Sequence, residues 1–250
     1  MLLIHLEHLV QGPQFATAPW GIPFQIRPEA QPVLIAIDLF STEPFVTGRP
    51  MRSAVPASAT RQHLRKQTRE RRRQLTSIQQ AAAARDLLEH CKQATSILNA
   101  QHIALYLAND GELDTMPMIE WLWQQGKDVY LPVLHPFSKG HLLFLHYTPT
   151  TRMTTNRYGI QEPALDIRLV KPIPELDVIC TPLVAFDNTG QRLGMGGGYY
   201  DRTLSLWHSE QRGPRPVGLA HDCQQVDSLP FEAWDVPLPE IITPSYHFRW

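Results

Sequence analysis

From Ala59 onward, short apolar runs alternate with stretches of helical spacing. Ile103-Ala104-Leu105-Tyr106-Leu107, Val129-Tyr130-Leu131-Pro132-Val133, Leu176-Asp177-Val178-Ile179-Cys180 and Pro216-Val217-Gly218-Leu219-Ala220 have the length and composition of strands. Leu142 to Tyr147 and Ile241-Ile242-Thr243 add two more. Between them, Met116 to Gln125 reads as a helix stopped by Gly126, and Tyr200 to Trp207 opens another. Residues 59–99 read as two further helices. Thr60 is placed to cap the first, which runs through a basic stretch to Gln74; Thr76 or Ser77 is placed to cap the second. On that second helix, Ile78, Ala81, Ala82, Arg85, Leu88 and Cys91 approximate one face. Strands separated by helices predict an α/β domain whose mostly parallel sheet is flanked by helices on both faces.

Residues 1–58 break this rhythm. Proline recurs at 13, 19, 23, 28, 32, 44, 50 and 56, and the only strand-like run is Val33-Leu34-Ile35-Ala36-Ile37. This segment is expected to be a poorly ordered extension without a catalytic role, and Met51 offers a later start. Residues 59–250 are expected to form the working domain.

Composition narrows the class. A chain of 250 residues, 43% hydrophobic, is large enough for one domain with a sizeable core. A net charge of -1 gives no bulk attraction to nucleic acid or membrane, so any polyanion must meet a local patch. Cys91, Cys180 and Cys223 lie far apart and form no C-x-x-C pair, as expected for reduced thiols in a cytoplasmic protein. No apolar run reaches membrane-spanning length.

Candidate chemistry concentrates in Gly190-Gln191-Arg192-Leu193-Gly194-Met195-Gly196-Gly197-Gly198-Tyr199-Tyr200-Asp201-Arg202. Glycine lets backbone N–H groups approach a phosphate closely. An arginine pairs with phosphate oxygens, and a carboxylate holds Mg²⁺. The loop follows the Leu176–Cys180 strand, and ligands of parallel sheets gather at the carboxyl ends of strands. It is neither a Walker P-loop nor a dinucleotide fingerprint, since Tyr199 stands where the third glycine of the latter would be. A bare glycine cluster is more often a surface turn; Arg192, the paired tyrosines and Asp201 shift the balance to phosphate binding.

Arg61, Arg65, Lys66, Arg69, Arg71, Arg72 and Arg73 crowd the first helix, opposed by Glu70 alone. Arg61, Arg65, Arg69 and Arg72 or Arg73 recur at helical spacing. Three readings stand: a solvated face, a nucleic-acid patch, or a phosphate clamp that completes a site elsewhere. No aromatic residue is interleaved, which argues against single-strand stacking.

Taken together, residues 59–250 resemble the 5-formyltetrahydrofolate cyclo-ligase family. The resemblance rests on Pro182-Leu183-Val184-Ala185-Phe186-Asp187 followed by the glycine loop through Arg202. It is supported by Arg61-Gln62-His63-Leu64-Arg65, Asp110-Gly111-Glu112-Leu113-Asp114-Thr115, Tyr158-Gly159-Ile160-Gln161-Glu162-Pro163 and Trp234-Asp235-Val236-Pro237-Leu238-Pro239. The fold it implies is of the ribose-5-phosphate isomerase and CoA-transferase type. The activity it implies is ATP- and Mg²⁺-dependent closure of 5-formyltetrahydrofolate to 5,10-methenyltetrahydrofolate, with release of ADP and phosphate. In that chemistry the γ-phosphoryl group moves to the formyl oxygen, N10 attacks the activated carbon, and phosphate leaves. Positioning and charge stabilisation are then the protein's main work.

The resemblance also implies roles. Arg61, Arg65, Arg192 and the backbone of Leu193, Gly194, Met195, Gly196, Gly197, Gly198, Tyr199 and Tyr200 are expected around ATP. Arg192 and Asp201 are the expected catalytic pair, with Asp201 and Asp235 on Mg²⁺. Glu112 is expected to face the folate, between walls from Leu107, Tyr158, Met195 and Tyr199. Relatives often carry lysine at the place of Arg61 and basic residues at those of Met195 and Gly197. More of the phosphate contact here should therefore fall to backbone and to Arg61, Arg65 and Arg192. Pro239 stands where some relatives have a second acid. His221-Asp222 is assigned no chemistry. We expect a monomer acting on 5-formyltetrahydrofolate, polyglutamylated or not, with no nucleic-acid or membrane partner. A sugar-phosphate isomerase or CoA-transferase-like enzyme would need no ATP, and an RNA-binding module using the Arg61–Arg73 helix would show salt-dependent affinity that survives loss of Asp201.

Overall fold

A computed structural model describes residues 57–250; the extension expected over residues 1–58 lies outside the described residues but for its last two. The helices are α1 (Ala57–Arg73), α2 (Ser77–Cys91), α3 (Thr95–Asn99), α4 (Met116–Gln124), α5 (Tyr199–Thr203) and α6 (Ser205–Glu210). The strands are β1 (His102–Ala104), β2 (Asp128–Leu134), β3 (Leu142–His146), β4 (Met153–Thr155), β5 (Gln161–Pro163), β6 (Val170–Lys171), β7 (Val178–Pro182), β8 (Ala185–Phe186), β9 (Arg192–Leu193), β10 (Arg215–Leu219), β11 (Glu240–Ile242) and β12 (His247–Arg249). Eight of them form one sheet in the order β12-β11-β10-β7-β1-β2-β3-β6. The middle, β11-β10-β7-β1-β2, is parallel. Both margins are antiparallel. The Leu142–Tyr147 run thus forms the antiparallel β3, returning on β2 through a short turn. Sequence pattern missed β6, β12 and the small pairs β4–β5 and β8–β9, because two- and three-residue strands carry no period.

Side-chain alternation divides the core. Ile103, Val129, Leu131, Val178, Cys180 and Ile242 point to one face, where Leu87 and Cys91 of α2, Ile97 of α3 and Met118, Ile119 and Leu122 of α4 cover them. Ala104, Tyr130, Ile179 and Ile241 point to the other, against Phe144, Leu204, Val236 and Leu238. Helices therefore flank the sheet unequally. The second face is covered mostly by irregular segments, with Leu204 anchoring the junction of α5 and α6. That buried junction also splits the helix expected from Tyr200 to Trp207.

Two helical expectations change. Thr60 lies inside α1, which is already helical at Ala57, so it is not the cap. Thr76 does cap α2, in a reciprocal pair with Gln79. The buried stripe of α2 is Ala84, Leu87 and Cys91, while Ile78, Ala81 and Arg85 are exposed. The run of four alanines left the face underdetermined, and packing on α4 and β11 selected it.

After β1 the chain steps to β2 on one side; from β7 it steps to β10 and β11 on the other. The order reverses between β1 and β7, so a crevice opens at their carboxyl ends, where ligands bind in such sheets. The glycine loop, the Asp110–Glu112 turn and α1 are brought to that end. All three cysteines are free. Among the described residues no helix is long and apolar enough to cross a membrane.

Candidate active site

α1 reverses the usual amphipathic rule. Arg61, Leu64, Arg65, Thr68 and Arg72, spaced at one helical face, are the less exposed residues, while Lys66, Glu70, Arg71 and Arg73 face solvent. The inward stripe runs through Thr68 and Arg72, not through Arg69 and Arg73. Leu64 packs on Ala185, Leu193 and Leu229, which seats the helix on the β8–β9 hairpin. The arginines of this stripe are therefore not a solvated face.

Each inward arginine has a defined partner. Arg61 makes a two-point ion pair with Asp235: Nη2 donates to Oδ1 at 3.0 Å, and Nη1 donates to Oδ2. Burial pushes the Asp235 carboxyl up. The Arg61 hydrogen bond, the Glu232 N–H and the charges of Arg61 and Arg192 outweigh burial and hold it below its ordinary value. Arg65 Nε donates to the Gly194 carbonyl at 2.8 Å, which joins α1 to the glycine loop. Arg72 is fully buried at the crevice. Its Nε donates to the Asp110 carbonyl (2.9 Å), Nη2 to Asp110 Oδ2 (3.0 Å) and Nη1 to the Leu183 carbonyl (3.3 Å). It thereby ties the segment after β1 to the end of β7.

The glycine loop leaves β9 at Arg192 and enters α5 at Tyr199. Gly196 (φ 96°) and Gly198 (φ 66°) lie in the left-handed region, which explains the residue type at both. Arg192 is buried and donates through Nη2 to Asp201 Oδ1 at 2.5 Å. Burial pulls its guanidinium down while Asp201 and Asp235 oppose that pull. The charge of Asp201 also acts on Arg61, so Arg61, Arg192, Asp201 and Asp235 form one cluster. Arg192 Nε is buried without a hydrogen-bond partner, a donor suited to an anion. Both acids expected at a metal are ion-paired to arginines. Among the described residues no three His, Cys, Asp or Glu side chains converge on a metal position. The donor set fits a hard cation that takes one or two carboxylates and completes its shell from a ligand's phosphates.

The Glu112 turn forms the opposite wall. Asp110 (φ 54°) and Gly111 (φ 74°) are both left-handed. Asp110 is held there by Arg69, Arg72 and Arg73, which bring its carboxyl to about 2 against the pull of burial. Glu112 accepts from the Asn109 N–H at 3.1 Å and lies 3.7 Å from Arg72 Nη2. Burial raises its carboxyl, with Arg72 opposing. The Tyr200 phenol is pushed up by burial and by the charge of Glu112, with Arg192 opposing, so the glycine-loop and Glu112 walls act on one group. Tyr158 and Tyr199 meet edge to face with their hydroxyls 3.0 Å apart, and Arg157 donates to Tyr199 at 2.9 Å. Met195 and Tyr158 are exposed at the rim, and Leu107 is half-buried against the α2–α4 core.

Sequence reasoning named most of these residues but missed the contacts of Arg72, Asp110 and Arg157. The signal for Arg72 was present: it extends the Arg61–Arg65–Thr68 face by one turn. The other two are recognisable only once distant segments meet.

The family model for the 5-formyltetrahydrofolate cyclo-ligase family matches residues 57–244. The chain is 53% identical over 182 residues to the 5-formyltetrahydrofolate cyclo-ligase of Escherichia coli K12, covering 73% of this chain and 99% of that one. It is 51% identical to the Haemophilus influenzae protein of the same name, covering 73% and 96%. Among solved structures, the Aquifex aeolicus 5,10-methenyltetrahydrofolate synthetase superposes with a TM-score of 0.64 at 27% identity, covering 76% of this chain and 92% of that one. The Mycoplasma pneumoniae synthetase gives 0.58 at 25%, covering 74% and 98%. With the glycine loop, the inward arginine stripe and the Glu112 turn at one end of the sheet, these matches lead to one conclusion: the chain belongs to the 5-formyltetrahydrofolate cyclo-ligase family.

Proposed function

We propose that residues 59–250 catalyse conversion of 5-formyltetrahydrofolate and ATP to 5,10-methenyltetrahydrofolate, ADP and phosphate, with Mg²⁺ as cofactor. The observation that carries the nucleotide half is Arg65 held on the glycine loop and Arg192 at its start, with the Arg61–Asp235 pair in the same charge cluster and Arg192 Nε buried and unpartnered. ATP with Mg²⁺ supplies an activated phosphoryl group whose charge is partly neutralised. Arg192 and the loop N–H groups hold phosphate oxygens, and Asp201 and Asp235 are the carboxylates able to hold the cation.

The folate half rests on Glu112. A carboxylate accepts two hydrogen bonds from the amide-like edge of a pterin. Its links to Asn109 and Arg72 fix its direction before the ligand arrives, which lowers the ordering cost of binding. Tyr158, Tyr199 and Met195 line the rim as aromatic and apolar surface. We expect a monomeric cytoplasmic enzyme. The test is phosphate release by the purified full chain with Mg-ATP, with and without 5-formyltetrahydrofolate. One phosphate per methenyl product, absent without folate, supports the proposal. Folate-independent release, or product without release, overturns it.

A further inference from the structure

Arg202 follows the acid assigned to the cation and has no role in the chemistry above. Its side chain reaches back along the glycine loop. Nη2 donates to the Gly197 carbonyl at 2.5 Å, and Nε donates to the Gly140 carbonyl at 2.8 Å, across to the turn between β2 and β3. Gly140 is shaped for this contact. Its φ is 83°, and a Cβ there would lie 2.7 Å from Arg202 Cζ and 2.8 Å from Nε. A Cβ at Gly198 would lie 3.0 Å from Arg202 Nη1. The guanidinium is thus seated between two glycines.

The consequence concerns the loop's donors. A trans peptide points its N–H opposite to its C=O. Every peptide bond among the described residues is trans. Drawing the Gly197 carbonyl toward Arg202 turns the Gly198 N–H to the other side. Arg65 does the same at the near end: by holding the Gly194 carbonyl it turns the Met195 N–H away from α1. We propose that Arg202, seated through Gly140, is a positioning residue that fixes the peptide orientation of the glycine loop for phosphate binding. The proposal rests on the nucleotide reading of that loop and extends it to a residue and a turn outside it. It also accounts for an exposed arginine spending its donors on two backbone carbonyls.

The test is a double-mutant cycle on the full chain: Arg202→Ala, Gly140→Ala and both together. Binding of Mg²⁺ with a non-hydrolysable ATP analogue and binding of 5-formyltetrahydrofolate are measured separately by calorimetry, beside thermal melts. Arg202→Ala should weaken the nucleotide analogue about tenfold and leave folate nearly unchanged. Gly140→Ala keeps every charge yet displaces the guanidinium, so it should weaken the analogue similarly. In the Arg202→Ala background it should add nothing to that loss, although it still lowers the melting temperature through its positive φ. Arg202→Lys, which keeps the charge and loses the fork, should recover only part. Additive effects, full recovery by lysine, or equal loss of folate and nucleotide would overturn the proposal. Failure of the unmutated chain to bind the analogue would instead overturn the nucleotide reading, and the proposal with it.

Discussion

Arg72→Met is the most informative perturbation of the fold's junction with its site. The substitution keeps length and apolar bulk and removes a charge with no solvent exposure. It strips donors from the Asp110 carbonyl, the Asp110 carboxylate and the Leu183 carbonyl. Breaking one side of a buried ion pair costs about 3–5 kcal/mol. Asp110 retains Arg69 at 2.7 Å and Arg73, and the Leu183 carbonyl retains Gln224 Nε2 at 2.6 Å. The cost should therefore fall near the lower end, about 3 kcal/mol. For a domain of this size that lowers Tm by about 6–12 °C. Glu112 also loses the positive charge that opposes its burial, so its carboxyl should rise further and KM for folate should rise more than KM for ATP. Thermal and urea unfolding supply the first reading and steady-state kinetics on the folded fraction the second. A Tm within about 2 °C of the parent, or equal changes in both KM values, would refute the account of Arg72 as the tie between β1 and β7.

Arg192→Ala should weaken ATP by about 1.5–3 kcal/mol with less effect on folate, read as the ratio of the two KM values; an unchanged KM for ATP removes Arg192 from the clamp. Asp201→Asn should abolish turnover, and near-normal turnover across a Mg²⁺ titration would sink the metal assignment. Glu112→Ala should raise KM for folate while sparing that for ATP. His221 supplies a pH dependence. Burial, then the charge of Arg72, brings its imidazole down to about 4, and Nε2 has no partner. The unfolded chain takes up this proton at about 6.5, so the stability concerned is present above that value and lost as pH falls toward 4, by about 3 kcal/mol. His221→Asn, which keeps a polar side chain that takes up no proton, should flatten unfolding free energy against pH across that window; parallel curves would contradict the assignment.

The parts of the molecule that were legible in the sequence share one property: their signal is local. β7 reads as a buried strand from the apolar Val178-Ile179-Cys180 at its start, where both faces are covered. The Thr76–Gln79 cap and the turn at Gly126 depend on a few adjacent residues. The left-handed turns of the glycine loop at Gly196 and Gly198 follow from residue type alone. What stayed hidden depends on long-range packing. The stripe of α1 could not be phased from charge, because arginines cover nearly every face of that helix. Packing on the β8–β9 hairpin decided that Arg72 is buried and Arg73 exposed. The pairing of Asp235 with Arg61 links segments whose meeting no local pattern specifies. The same holds for Arg202, whose partner turn lies sixty-two residues away.

The central claim is that one site joins a nucleotide cradle to a folate wall. Its most direct test is the methenyltetrahydrofolate absorbance band, followed with purified full chain, Mg-ATP and 5-formyltetrahydrofolate. The account predicts a rise that requires protein, nucleotide, cation and folate together, and that stops when any one is withheld. No rise from folded protein, or a rise that persists without ATP, would contradict it.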